Sequence, residues 1–180
     1  MDYQKVKQDL RKTYDNLASS WEKEGSGGWG MDSLARFAEL VKRNRGLKIL
    51  DLGCGSGLQS ASLIEGGLNV TGLDLSSEMI RHAASRYPKG KFITGDITNL
   101  SFDPEFFDGV YARASLLHVP KELLLQTLKT VFNILKNKGI FYVAVKKGEG
   151  EGQVSEFRHK KDLNRFFSFF QKDEIEDYLR

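Results

Sequence analysis

The segment Ile49–Ser60, ILDLGCGSGLQS, constrains the fold more than any other: an apolar run ends in an acid and then turns through glycines at 53, 55 and 57. Glycine takes sharp backbone turns and lets a ligand approach with no Cβ in the way. From Lys48 onward, short apolar runs alternate with amphipathic helical patterns. They are KILDL, a helix over 57–65, NVTGLDL, a helix over 77–86, KFITGD, FDGVYA, a helix over 121–136, and GIFYVAV. That alternation predicts an α/β fold with a central parallel sheet of about five strands flanked by helices. Ser76 or Ser77 caps one helix, Pro88 stops it, Pro120 opens the next and Gly139 follows its end. In such sheets ligands lie beyond the carboxyl ends of the strands, where strand order reverses, so the glycine turn belongs to the site.

Acids at three strand ends mark that site. Asp51 closes the first strand; beside a diphosphate its charge is unfavourable, but it suits a cofactor carrying positive charge near the turn. S-adenosylmethionine, with its ammonium and sulfonium groups, is such a cofactor. Asp74 ends the second strand, placed to accept hydrogen bonds from two ribose hydroxyls. Asp96 ends the third, placed to accept from an exocyclic adenine amine, with Leu75, Met79 and Ile97 offering apolar faces to the ring. Gly55, Gly57 and Ser60 also imitate a G-x-G-x-x-G/A dinucleotide fingerprint, with Asp74 as its ribose acid. Serine at the third position and Asp51 beside the phosphates both speak against that rival.

Composition sets the remaining bounds. At 180 residues, 40% of them hydrophobic, the chain fits a single domain with one core. It divides into an N-terminal helical cap (1–46), a cofactor-binding core (47–145) and a C-terminal partial segment (146–180). Lys+Arg 27 against Asp+Glu 24 is too mild an excess to make a nucleic-acid footprint. The single cysteine, Cys54, excludes an intramolecular disulfide and a cysteine-built zinc site, and no metal centre is expected. No apolar run reaches the roughly 18 residues of a membrane span, so a soluble cytoplasmic protein is expected. In the cap, Val6, Leu10, Thr13, Tyr14 and Leu17 form one helical stripe. A glycine-rich loop over 25–30, expected to be mobile, leads to a second helix from Met31 to Arg45, ended by Gly46.

These motifs together resemble the class I S-adenosylmethionine-dependent methyltransferases, from Tyr14 to about Arg180. ILDLGCGSG is similar to the family's first motif, GLDLSSEMI to its ribose-binding strand, and GDITNLSF to its adenine-side acid. FDGVYARASLLHVP resembles its fourth strand and following loop, and LKNKGIFYVAV its reverse turn and fifth strand. YDNLASSW is similar to a segment that often folds over the cofactor. The resemblance implies a Rossmann-like fold in which Asp51 and Gly53, Cys54, Gly55 and Gly57 hold the methionine part, Asp74 the ribose, and Asp96 with Ile97 the adenine. Arg113 lies near the methionine end, with two roles open: a partner for the cofactor carboxylate, or a solvated side chain at a strand end. The family usually adds two more strands after the helix beginning near Asp173, so by comparison the C-terminal strands are truncated. GIFYVAV then becomes an exposed edge strand, open to covering by RFFSFF or by a second copy in a homodimer.

The expected activity is in-line methyl transfer to a small-molecule acceptor, leaving S-adenosylhomocysteine. Holding the nucleophile in line is the enzyme's main task. His118 is the candidate general base, Lys146 borders the site and suits an anionic acceptor, and Tyr14, Trp21 and Trp29 are candidate covers. Two alternatives stay open: an RNA or protein acceptor, and cofactor binding without turnover.

Overall fold

The computed structural model describes residues 2–21, 30–158 and 161–180. Its five parallel strands fall where the apolar runs are: β1 (Lys48–Leu52), β2 (Asn69–Asp74), β3 (Lys91–Thr94), β4 (Phe107–Arg113) and β5 (Leu135–Ala144). The order β3-β2-β1-β4-β5 places the reversal between β1 and β4. The connecting helices are α3 (Leu58–Glu65), α4 (Ser77–Arg86) and α5 (Lys121–Ile134), preceded by α1 (Tyr3–Leu17) and α2 (Met31–Arg43).

Side chains alternate across each strand, so β1 and β4 feed two cores. Ile49 and Tyr111 pack with Leu34, Phe37 and Val41 of α2 and Leu63 of α3. Leu50, Leu52, Val110 and Ala112 pack on the opposite face with Leu124, Leu128 and Val131 of α5. Covering on both faces is why these strands read as near-continuous apolar runs. No described helix is long and apolar enough to cross a membrane.

The helix punctuation is largely as expected. Ser76 is the N-cap of α4, its Oγ accepting the Met79 N–H at 3.1 Å. Pro120 precedes α5, which ends at Ile134, two residues earlier than its periodicity suggests. The next residue already pairs with β4: Leu135 opposes Phe107, then the register shifts so that Ile140 opposes Gly109. The helix after Met31 likewise ends at Arg43, and the chain turns through Arg45 at φ 57° before Gly46. Of the glycine-rich loop only Gly30 is described, as the N-cap of α2; its expected mobility and Trp29 lie outside the described residues.

The C-terminal segment departs from the expectation of a polar stretch followed by an aromatic cluster. A short β6 (Lys146–Lys147) continues from β5, and β7 (Glu151–Arg158) and β8 (Lys161–Phe170) form an antiparallel hairpin. These three make a second sheet, in the order β6-β8-β7, before α6 (Lys172–Tyr178). RFFSFF therefore does not cover the edge of the main sheet; it lies in β8. Phe166 packs with Val6 and Leu10 of α1, Leu163 with Leu17 and Met79, and Phe170 joins the α5 core. β5 stays at the edge, with no described strand on its outer side.

Gly57 opens α3 at φ 86°, where a Cβ would stand 2.9 Å from the Ala83 Cβ of α4. Gly67 has nearly the same backbone, φ 83°, with nothing within 4 Å. Gly67→Ala is expected to cost about 1 kcal/mol from the left-handed backbone alone. Gly57→Ala is expected to cost roughly 1–3 kcal/mol more from overpacking. Urea unfolding of both variants checks this, and equal losses would show that the α3–α4 contact at Gly57 is not tight.

Candidate active site

A cavity of about 650 Å³ opens at the carboxyl ends of β1, β2 and β4, roofed by α1 and the hairpin. The glycine turn forms its floor. Gly53 (φ 79°) permits the loop after β4 to come close, since a Cβ there would meet the Ser115 Cβ at 2.3 Å. Gly55 (φ 54°) serves differently: a Cβ would find only Trp21 Nε1, at 3.8 Å. One glycine is needed for packing, while the other presents bare backbone to the cavity.

Asp74 holds this turn in place. Its carboxylate accepts the N–H of Gly55 and that of Ser76, each at 2.9 Å. Burial raises its pKa, opposed by those two hydrogen bonds. Asp96 takes Lys7 Nζ at 2.6 Å and both the N–H and the hydroxyl of Thr98. Although burial pulls that carboxyl upward, Lys7 and Thr98 hold it below the usual range. Leu75, Met79 and Ile97 line the wall between these two acids.

Asp51 sits elsewhere. Two residues after Ile49 on the same strand, it faces the α3 side, where Ser60 Oγ donates to it at 2.6 Å. It is 3% exposed, and burial pushes its pKa up to about 6 against the pull of Ser60. Asp51 and Gly57 are thus the two expected cofactor residues that do not line the cavity. Gly53, Cys54, Gly55, Asp74, Leu75, Met79, Asp96, Ile97, Arg113 and His118 all do. Arg113 Nε lies 3.0 Å from where a Cβ on Gly30 would be, and the charge of Arg113 lowers the pKa of Asp51.

The hairpin end carries a polar chain. His118 Nδ1 lies 2.7 Å from the Phe166 carbonyl, which only accepts, so Nδ1 carries the proton. Neutral Nε2 then accepts from the Tyr14 hydroxyl, also at 2.7 Å. Burial pushes His118 down to about 4, the Phe166 carbonyl opposing, so the neutral ring prevails at neutral pH. The Tyr14 oxygen accepts in turn from Arg165 Nη1 at 3.0 Å, and Arg165 pairs with Glu156. Lys146 Nζ reaches the same carboxylate at 2.5 Å.

Both ring nitrogens of His118 are thus engaged within the protein. Tyr14 also lines the cavity, with Trp21 edge-on at 5.5 Å between centroids. Arg165 and Phe167 were missed in the sequence. Their signal is strand parity, since residues 163, 165, 167 and 169 share one face of β8. Phenylalanines on both faces hide it.

Comparison with known proteins agrees with this geometry. A family model described as a methyltransferase domain matches residues 49–139, half of the chain. Malonyl-acyl-carrier-protein O-methyltransferase of Pectobacterium atrosepticum is 36% identical over 81 residues, 45% of this chain and 32% of that protein. Demethylmenaquinone methyltransferase of Beutenbergia cavernae is 37% identical over 92 residues, 50% of this chain and 38% of that protein. A solved S-adenosylmethionine-dependent methyltransferase from Methanosarcina mazei superposes with TM-score 0.66 at 26% identity, covering 73% of this chain and 76% of that one. The chain spans about a third to a half of the length of the curated relatives it matches. Through the glycine turn, the strand-end acids Asp74 and Asp96 and the matched core, the chain belongs to the class I S-adenosylmethionine-dependent methyltransferase family.

Proposed function

We propose that the chain binds S-adenosylmethionine in this cavity and transfers its methyl group to a small-molecule acceptor entering from the hairpin side. One observation carries the reading: the bare backbone of Gly53–Gly55, Asp74 and Asp96 converge on one roofed cavity from three successive strand ends. The residues fit the cofactor chemically. Each Asp74 oxygen accepts one backbone N–H, leaving acceptor capacity for ribose hydroxyls. Leu75, Met79 and Ile97 supply apolar surface for a purine, and Gly55 leaves room for an amino-acid tail. A diphosphate would meet the negative charges of Asp74 and Asp96, and Lys7 is already committed to Asp96.

When bound, S-adenosylmethionine supplies a methyl group activated by its sulfonium. What remains for the protein is to align the acceptor and, for a hydroxyl or ammonium, to take a proton. The Tyr14 hydroxyl is the group set to meet that proton, with neutral His118 Nε2 behind it as the acceptor of Tyr14's own. His118 thus works through Tyr14 as a positioning residue. A cavity of about 650 Å³ roofed by a helix and a hairpin suits a small acceptor better than a macromolecular surface. The names of relatives, which include sterol, demethylmenaquinone and phosphoethanolamine methyltransferases, support an acceptor of that size range.

Calorimetric titration is expected to show binding of S-adenosylmethionine and S-adenosylhomocysteine and none of NAD. Asp74→Asn is expected to weaken both by about tenfold or more, the worth of a charge-assisted hydrogen bond; binding of NAD alone would overturn the reading.

The neutral state of His118 makes a second expectation. Its pKa falls from 6.5 unfolded to about 4 folded. Below pH 6.5 the unfolded chain therefore gains a proton that the folded chain resists, and stability is lost as pH falls toward 4. Asp51, raised from 3.8 to about 6, acts in the opposite direction over much of the same window. His118→Gln should remove only the histidine's part. The stability difference between wild type and variant is expected to fall by at most about 1.4 kcal/mol per pH unit between pH 6.5 and 4. Parallel stability curves in urea titrations would show that His118 titrates normally and does not stay neutral behind Tyr14.

A further inference from the structure

We infer that the hairpin end of the cavity binds an anionic group of the acceptor, a carboxylate or a phosphate-type oxyanion, with Arg165 and Lys146 as its partners. The inference rests on the methyl-donor reading for what fills the other end. It starts from a charge imbalance. Arg165 is 3% exposed, so its guanidinium is out of water, where a charge is tolerated only when paired and hydrogen-bonded. Among the described residues its one carboxylate partner, Glu156, is shared with Lys146. Two cations therefore divide one negative charge.

Arg165 also has donor capacity to spare. One terminal nitrogen serves Glu156 and the other the Tyr14 hydroxyl, while the buried Nε–H has no hydrogen-bond partner among the described residues. Leaving a charged donor buried and unsatisfied is costly, and a site that tolerates it is commonly one that a ligand completes. Lys146 is 39% exposed at the cavity rim, and a single one of its three N–H groups is engaged. Both cations lie over the Phe167 ring, Lys146 Nζ at 4.1 Å and Arg165 Cζ at 5.0 Å from its centroid. That ring restricts where they point and gives an anion's apolar body a surface.

The other acids of the cavity do not oppose an anion here. Asp96 is neutralised by Lys7 on α1, and Asp74 is turned to the backbone of Gly55 and Ser76. The cavity thus has an acidic end suited to ribose and adenine and a cationic end suited to an anionic acceptor, with the Tyr14 hydroxyl bonded directly to Arg165 between them. An anion held by Arg165 and Lys146 would be fixed close to the group proposed to take the acceptor's proton.

The test is calorimetric titration, at constant ionic strength, of the protein with and without saturating S-adenosylhomocysteine. The probes are inorganic phosphate, benzoate and the neutral benzamide. At least one of the two anions is expected to bind, benzamide about tenfold more weakly or not at all, and phosphate against benzoate distinguishes the oxyanion type. Lys146→Gln, which keeps a polar side chain at this half-buried position, is expected to weaken the anion by about tenfold and leave S-adenosylhomocysteine affinity unchanged. Arg165→Lys is expected to retain part of the anion affinity.

No response to either anion, or benzamide matching benzoate, would overturn the inference. So would a Lys146→Gln variant that loses S-adenosylhomocysteine as strongly as the anion, which would assign the cations to the cofactor's own carboxylate. Anion binding with no S-adenosylhomocysteine binding would instead defeat the methyl-donor reading alone.

Discussion

The carboxylate of Asp74 is the joint on which the rest of the architecture turns. It accepts the Gly55 N–H from the loop after β1 and the Ser76 N–H from the start of α4, so two successive strand ends share one acid. Ser76 passes the constraint on: its hydroxyl caps α4 at Met79 and donates to Asp15 of α1 at 2.6 Å. Asp15 in turn accepts the Glu78 N–H, which brings a negative charge to the first turn of α4, where the helix dipole favours it. Glycine turn, strand-end acid, helix cap and N-terminal helix are therefore one hydrogen-bonded chain. Fixing α1 in this way delivers Lys7 to Asp96 and Tyr14 to His118, two residues about two turns apart along the same helix face.

That chain explains why a buried carboxylate is tolerated here at all. Burying Asp74 alone would raise its pKa and cost free energy, and the two backbone donors offset that cost in part. A ligand presenting hydroxyl donors would offset more. Asp51 reaches a different settlement: it has one hydroxyl donor, Ser60, and the charge of Arg113 nearby, and its pKa remains raised.

Much of this was legible in the sequence, for a physical reason. A parallel sheet covered on both faces needs apolar residues at nearly every strand position, and the turns between its elements need glycine, proline or capping side chains. Strands β1 to β5 and the start of α4 follow from those two demands. The parity of β1 also held the answer for Asp51, because Ile49 and Asp51 must share a face. Which face meets α3, however, is a tertiary fact. Strand β8 was illegible because both of its faces are buried: Phe166, Ser168 and Phe170 on one side, Leu163, Arg165 and Phe167 on the other, so no polar alternation marks it. Nothing in the sequence singles out Arg165, since its partner becomes visible only once the register is known. Val154 opposes Arg165, which puts Glu156 at a diagonal position on the same face.

The two covers of the cavity are joined in a way that bears on how it admits an acceptor. Val6 and Leu10 of α1 meet Phe166 of β8 in a small apolar contact, and beside it Arg165 donates to Tyr14. Leu17 of the same helix meets Leu163 in a second apolar contact, and the connection also includes a buried cation whose charge is balanced through Glu156. Removing one member of such a group costs more than removing the whole, because the orphaned charge stays buried, about 3–5 kcal/mol for a lone partner. An incoming anion acts in the opposite sense: it adds negative charge where two cations share one carboxylate, relieving the deficit without breaking an existing pair. An anion bound as proposed would thus act on the junction of α1 and the hairpin through Arg165, the residue that touches Tyr14, Glu156 and the cavity at once.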